Sequence, residues 1–200
     1  MKFFFYIILP AILLFVVNTS NGQTSSKSSY HMRLSRSGDV NATASKTSSK
    51  DDFDFLVGSW QIENRKLKSR LTGSNEWEEF RATGTMRKIL HGLGNIDDFI
   101  TTFDGKPFEG MSLRLFNPQT RLWSIYWADS NSATLDKPVS GSFENSAGHF
   151  FTRDRFNGKE ILVQFKWDVT NPEVPVWSQA FSTDEGETWE WNWYMTFHKQ

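Results

Sequence analysis

The chain has 200 residues, with 22 Lys and Arg against 23 Asp and Glu, 4 His and no Cys. A formal net charge of -1 gives no global basic field and argues against nucleic-acid binding; without cysteine there is no disulfide framework, thiol nucleophile, zinc finger or Cys-anchored lipid. The excess is aromatic: 9 Trp and 18 Phe must be buried, used to hold something, or both.

Residues 1–22 (MKFFFYIILPAILLFVVNTSNG) place Lys2 ahead of an apolar run from Phe3 to Val17, followed by small and polar residues. This is the layout of a secretory signal peptide, with a cut before Gln23. The run is short for a bilayer span, which needs roughly 20 residues; an uncleaved anchor is the rival reading. Cleavage implies an exported chain, periplasmic or extracellular, with no stable membrane span.

Residues 23–52 are dominated by Ser, Thr, Lys and Asp, with scattered apolar residues. A segment of this composition cannot offset its ordering entropy by burial, which predicts a disordered spacer. It contains one glycosylation sequon, Asn41-Ala42-Thr43.

Residues 53–200 form the predicted folded domain and contain every Trp. Period-two alternation recurs, and no useful helical period is present. Strands are expected at 58–69, 76–90, 97–103, 109–116, 121–128, 139–145, 149–156, 160–168, 175–183 and 188–198. Turn chemistry separates them: Asp104-Gly105 and Asn157-Gly158 are hairpin dipeptides, and Asn117-Pro118-Gln119-Thr120, Asn145-Ser146-Ala147-Gly148 and Asp184-Glu185-Gly186 are tight links. Short links make sequence neighbours antiparallel. A meander of about ten strands hides its edges by closing, so an all-β, up-and-down antiparallel barrel is expected rather than a sandwich. Leu90–Asn95 (LHGLGN) is less regular and reads as a lid or a helical turn.

Asp54-Phe55-Leu56-Val57-Gly58-Ser59-Trp60 opens the domain. A Gly-x-Trp ahead of a strand meander resembles the opening motif of the calycin superfamily, the lipocalin, fatty-acid-binding and nitrobindin barrels. Phe53–Trp60, Gly110-Met111-Ser112-Leu113-Arg114-Leu115-Phe116, Gln179-Ala180-Phe181-Ser182 and Trp189–Met195 together resemble a bacterial lipocalin-like domain of unknown function. The likeness covers about 55–198. It implies a calycin-type barrel with the Trp across its closed bottom, and no established activity. Nitrobindin-type barrels bind haem through a His near the chain end, which makes His198 the formal candidate here. Against that stand its place beside the terminus and the lack of any metal-ligand spacing among the His, Asp and Glu; an exposed, inert His is the reading preferred, with no cofactor.

Ser182-Thr183-Asp184-Glu185-Gly186-Glu187-Thr188-Trp189 matches the Asp-box of sialidase propellers. One copy in so short a chain makes no propeller. The same residues suit a hairpin turn, with Asp bonding backbone amides and Trp packing beneath.

In the last strand, Trp189, Trp191, Trp193, Met195 and Phe197 alternate with mostly polar residues. They predict one apolar face, either barrel core or the wall of a ligand pocket. Arg114 alternates with Ser112 and Phe116, and Gln179 with Trp177 and Phe181. An interior polar group needs a partner, either another side chain or a ligand carboxylate or carbonyl; the pattern leaves open whether Arg114 points in or out. Lys66, Lys68 and Arg70 are expected to guard a strand edge. The acidic pairs Asp51-Asp52, Glu78-Glu79 and Asp97-Asp98 have no second catalytic group at recognisable spacing, and no nucleophile-elbow, phosphate-loop or dinucleotide fingerprint occurs.

The function expected is binding of a small apolar or amphipathic molecule in an aromatic-lined barrel. Trp123, Trp127, Trp177, Trp191 and Trp193 supply the walls, and Arg114 or Gln179 orients a polar head. Two alternatives stand beside it. One is a barrel enzyme, an isomerase or hydrolase, with His91 at a pocket mouth as its acid–base group. The other is a solid-core module that binds a partner.

Overall fold

The computed structural model describes residues 32–35, 38–103 and 105–200. The expected signal peptide, the cut before Gln23, the first part of the spacer and Asp104 lie outside these residues. Twelve strands are present among the described residues: β1 (Met32–Leu34), β2 (Val40–Ala42), β3 (Gly58–Leu67), β4 (Trp77–Ile89), β5 (Gly94–Phe103), β6 (Lys106–Asn117), β7 (Leu122–Asp129), β8 (Val139–Glu144), β9 (Ala147–Phe156), β10 (Lys159–Asp168), β11 (Val176–Ser182) and β12 (Glu190–Lys199). From β3 onward each strand pairs antiparallel with the next, and β12 returns to β3, so ten strands close an up-and-down barrel. This is the expected fold class. Closure leaves no edge to guard.

The expected strands fall on these ten with two adjustments. β5 begins at Gly94, inside the segment read as irregular, and β6 reaches back to Lys106. What remains of the irregular segment is a 3-10 turn, Leu90–Gly92, with Leu90 and His91 both at positive φ. Asn157-Gly158 turns with both residues at positive φ (50° and 78°), the conformation that the Asn-Gly dipeptide favours in a hairpin.

Alternation puts Trp60 and Ile62, Met86, Phe99, Ile125, Val163, Trp177, Met195 and Phe197 on the inner wall. One end is plugged. The 3-10 turn Asp54–Leu56 crosses it, and Phe53 meets Trp123 and Phe143 edge-on at 4.9 and 5.0 Å. Trp60 Nε1 donates to Leu56 O at 2.7 Å, and its ring lies 6.1 Å from that of Phe197. Gly58, at φ +117°, makes the bend between turn and strand, a conformation that side-chain-bearing residues rarely adopt.

The expected disorder of residues 23–52 is corrected where the chain is described. β1 and β2 form a hairpin, and residues 43–52 run under the plugged end. Ser45 and Ser48 are among the most buried side chains. Ser45 N donates to Ser142 Oγ at 3.0 Å, and Ser45 Oγ donates to Phe143 O. Ser48 Oγ donates to Arg121 O at 2.8 Å, and the Arg121 guanidinium returns bonds to the carbonyls of Lys46 and Ser48 at 2.7 and 2.6 Å. Composition misled because apolar burial is not the only route to order. Here short hydroxyl side chains satisfy backbone groups at the barrel's end.

The hairpin also sits over the outside of the barrel. Phe151 and Leu162 point outward yet are buried. Trp189 lies 6.1 Å from Phe151, and Trp189, Leu162 and Met32 converge on Gly186. Residues 182–189 form the expected turn. Asp184 accepts from the Thr188 amide at 2.9 Å and from Thr188 Oγ1 at 2.5 Å, Ser182 Oγ accepts from the Gly186 amide at 2.9 Å, and Trp189 Nε1 donates to Gly186 O.

Candidate ligand cavity

Above the plug the interior is not filled. A cavity of about 270 Å³ lies among the inner faces of the barrel strands. Its walls are aromatic: Trp127, Trp177 and Trp193 line it with Phe99, and Trp177 and Trp193 meet edge-on at 5.7 Å. The backbone makes room for Trp127, since a Cβ at Gly110, on the neighbouring β6, would lie 2.2 Å from its ring.

Arg114 points inward and is 4% exposed. Its Nη1 meets Asp97 Oδ2 at 2.7 Å and Asn95 Oδ1 at 3.1 Å, and its guanidinium carbon lies 5.1 Å from the centre of the Phe53 ring. The three polar groups come from adjacent strands in register: Asn95 pairs with Arg114, and Asp97 with Ser112. Asp97 Oδ1 also accepts the Ser112 amide. Arg114 Nε is buried and has no hydrogen-bond partner. The floor of the cavity is therefore an ion pair set against an aromatic plug.

Gln179 lines the cavity too, and its Nε2 donates to Asn192 Oδ1 at 2.9 Å. Asn192 is fully buried. It owes this to a bulge: Gln179 pairs with Trp193 but Ala180 pairs with Trp191, leaving Asn192 as the extra residue. The bulge reverses the alternation upstream of Trp193. Trp191 is absent from the cavity lining, contrary to expectation, and Trp189 packs outside the barrel. Trp123 also departs from expectation. It is 1% exposed inside the plug, with Nε1 donating to Ser49 O at 3.1 Å, and does not line the cavity. Arg114, Trp127, Trp177, Gln179 and Trp193 do line it. Asn64, which accepts from Trp193 Nε1 at 3.0 Å, and Asn192 were missed; both sit on strands where no turn or charge pattern marks an inward amide.

The cavity meets solvent through the side of the barrel. β8 pairs with β7 only over Trp123–Ile125, while β9 runs on to Phe156. The gap is bridged by the loop 130–138, tied by the Asp136 amide to Trp127 O at 2.8 Å. Exposed Asp136, Lys137 and Asp154 line this portal. Partial burial raises the Asp136 pKa, and the carboxylates of Asp154 and Asp129 add to the effect.

The other basic residues do not guard an edge. Lys66 Nζ lies 4.8 Å from the Trp193 ring centre, and Arg70 stands 4.7 Å over Phe156. Burial lowers both pKa values, and for Lys66 the neighbouring Arg70 charge lowers it further.

His91 is exposed at the plugged end, between β4 and β5, outside the cavity lining. His198 also lies outside it, 3.6 Å from Glu63 and 44% exposed in its side chain. An axial ligand must face the cavity, so the residues present do not fit a haem held through His198. Among the described residues no cluster of His, Asp and Glu fits a metal ion, and no helix is long and apolar enough to cross a membrane. No family model matches the chain, and no curated protein matches it.

Proposed function

We propose that the chain is an exported binding protein of the calycin type, which holds a small apolar or amphipathic molecule inside its barrel. The observation that carries this reading is the unfilled, Trp-walled space above the plug. Protein interiors otherwise pack to crystal-like density, and a concave apolar site with a few convergent polar groups is the usual form of a small-molecule site. Burying a few hundred Å² of ligand at roughly 25 cal/mol per Å² supports micromolar affinity after the cost of association. A solid-core module has no use for the space. The enzyme reading loses the acid–base group nominated for it, because His91 is at the other end.

The test is titration of purified full-length protein with lipids, fatty acids, fatty alcohols and haem, read by Trp fluorescence and native mass spectrometry. One apolar class should bind at a one-to-one ratio with quenching of Trp emission. Absence of binding across every class would remove the reading.

A further inference from the structure

An inward-facing arginine in an apolar barrel suggests a carboxylate ligand, because guanidinium and carboxylate pair bidentately. The geometry here argues the opposite. Arg114 is already paired: Asp97 lies 2.7 Å from Nη1, on the next strand and in register. Both partners are largely buried, with side-chain exposures of 5% and 14%. Their charges cancel at the floor, and Asp97 is fixed from its other oxygen by the Ser112 amide.

The rest of the lining strengthens the bias. Asp97, Asp136 and Asp154 stand against Arg114 and Lys137, a formal excess of one negative charge; the Asp98 carboxylate accepts the Thr85 amide instead. Among the described residues no Lys or Arg forms an ion pair with Asp136 or Asp154. A carboxylate passing the portal would meet Asp136 and Asp154 against Lys137 alone, and at the floor it would find the Arg114 charge already balanced by Asp97, with only the unpartnered Nε side of the guanidinium left and no net positive charge to offset its own. Burying an unpaired charge is among the costliest steps available to a binding site. The lining also holds neutral hydrogen-bonding groups in Ser112, Thr152 and Gln179, which suit a hydroxyl, ester or carbonyl.

We propose that the cavity selects an uncharged amphiphile, such as a long-chain alcohol or ester, and rejects the corresponding carboxylate, with the Arg114–Asp97 pair as the specificity determinant. This rests on the reading of the barrel as a binding protein. It makes Asp97 an internal counter-ion that neutralises the charge a fatty-acid carboxylate would otherwise pair with.

The experiment compares decanol, methyl decanoate and decanoate on full-length protein at about pH 7.5, where the free acid is ionised. The alcohol and ester should bind at least about tenfold more tightly than decanoate. Asp97→Asn keeps the shape and an acceptor oxygen but frees the Arg114 charge. It should raise the affinity for decanoate about tenfold or more relative to that for decanol. Decanoate binding the wild-type protein as tightly as decanol would overturn the proposal while leaving the binding function intact. So would an Asp97→Asn variant, folded by circular dichroism, with unchanged decanoate affinity relative to decanol. If none of the three binds either protein, the proposal falls, while the binding reading falls only if every class in the wider titration also fails. The wild-type comparison decides even if the variant does not fold.

Discussion

Two acidic side chains show how single residues carry different kinds of information. Asp97 holds Arg114, so the pair behaves as one unit. Arg114→Leu leaves Asp97 as an unpaired charge at the cavity floor, and removing one partner of a buried pair typically costs about 3–5 kcal/mol. Urea unfolding should show a loss of that order. A loss below about 1 kcal/mol would mean that Asp97 reaches water without Arg114. Asp184 lies at the surface and does something else. Its hydrogen bonds from Thr188 and Ser182 depress its pKa from 3.8 to about 2. A depressed carboxylate stabilises the fold above its unfolded pKa, and that contribution is lost as pH falls toward the folded value. Acid titration of wild-type protein should therefore show a stability loss between about pH 4 and pH 2 that is smaller in Asp184→Asn. Identical acid profiles would show that the turn does not depend on this charge.

Elements were the most legible level. Period-two alternation and Asn-Gly-type turns located the ten barrel strands because both signals are local and an antiparallel meander uses few others. Antiparallel neighbours and closure then followed from short links and the need to hide edges. What failed was local order set by distant partners. Alternation along 189–197 is unbroken in the sequence, yet the bulge at Asn192 turns Trp191 away, because strand β11 opposite determines the register. Trp123 obeys its alternation and faces inward, but its height in the barrel puts it in the plug, which depends on Phe53 some seventy positions upstream. Arg114 was undecidable for the same reason: its direction is settled by Asp97 and Asn95 on the neighbouring strand. Close strand approach gives a further test. A Cβ at Gly141 would lie 1.8 Å from the His149 carbonyl oxygen, which belongs to backbone and cannot swing aside. Gly141→Ala should cost about 3 kcal/mol or more, at the upper end of overpacking, seen as a lower urea midpoint. An unchanged midpoint would show that β8 can move away from β9.

At the scale of the molecule, the barrel and the N-terminal segment form one structure. Ser45 and Ser48, in a stretch that reads as spacer, hold the end of the barrel through hydrogen bonds to Ser142, Phe143 and Arg121. A chain starting at Phe53 would leave those groups and Trp123 Nε1 without partners. At about 1 kcal/mol per lost bond, and about 2–4 °C per kcal/mol for a chain of this size, its Tm should fall by more than about 5 °C. An unchanged Tm would make the segment an ornament of the fold. The short β8 has a consequence of a different kind. Upper β7 and β9 have no ladder between them, only a loop tethered through Asp136 and Trp127. Such a loop opens at a small fraction of the free energy needed to unfold the sheet. For a guest held as proposed, how often this tether breaks would scale arrival and departure alike, while the aromatic walls would set the strength of the hold. Loosening the tether would then change the rates of exchange without changing affinity, whereas altering the walls would change both.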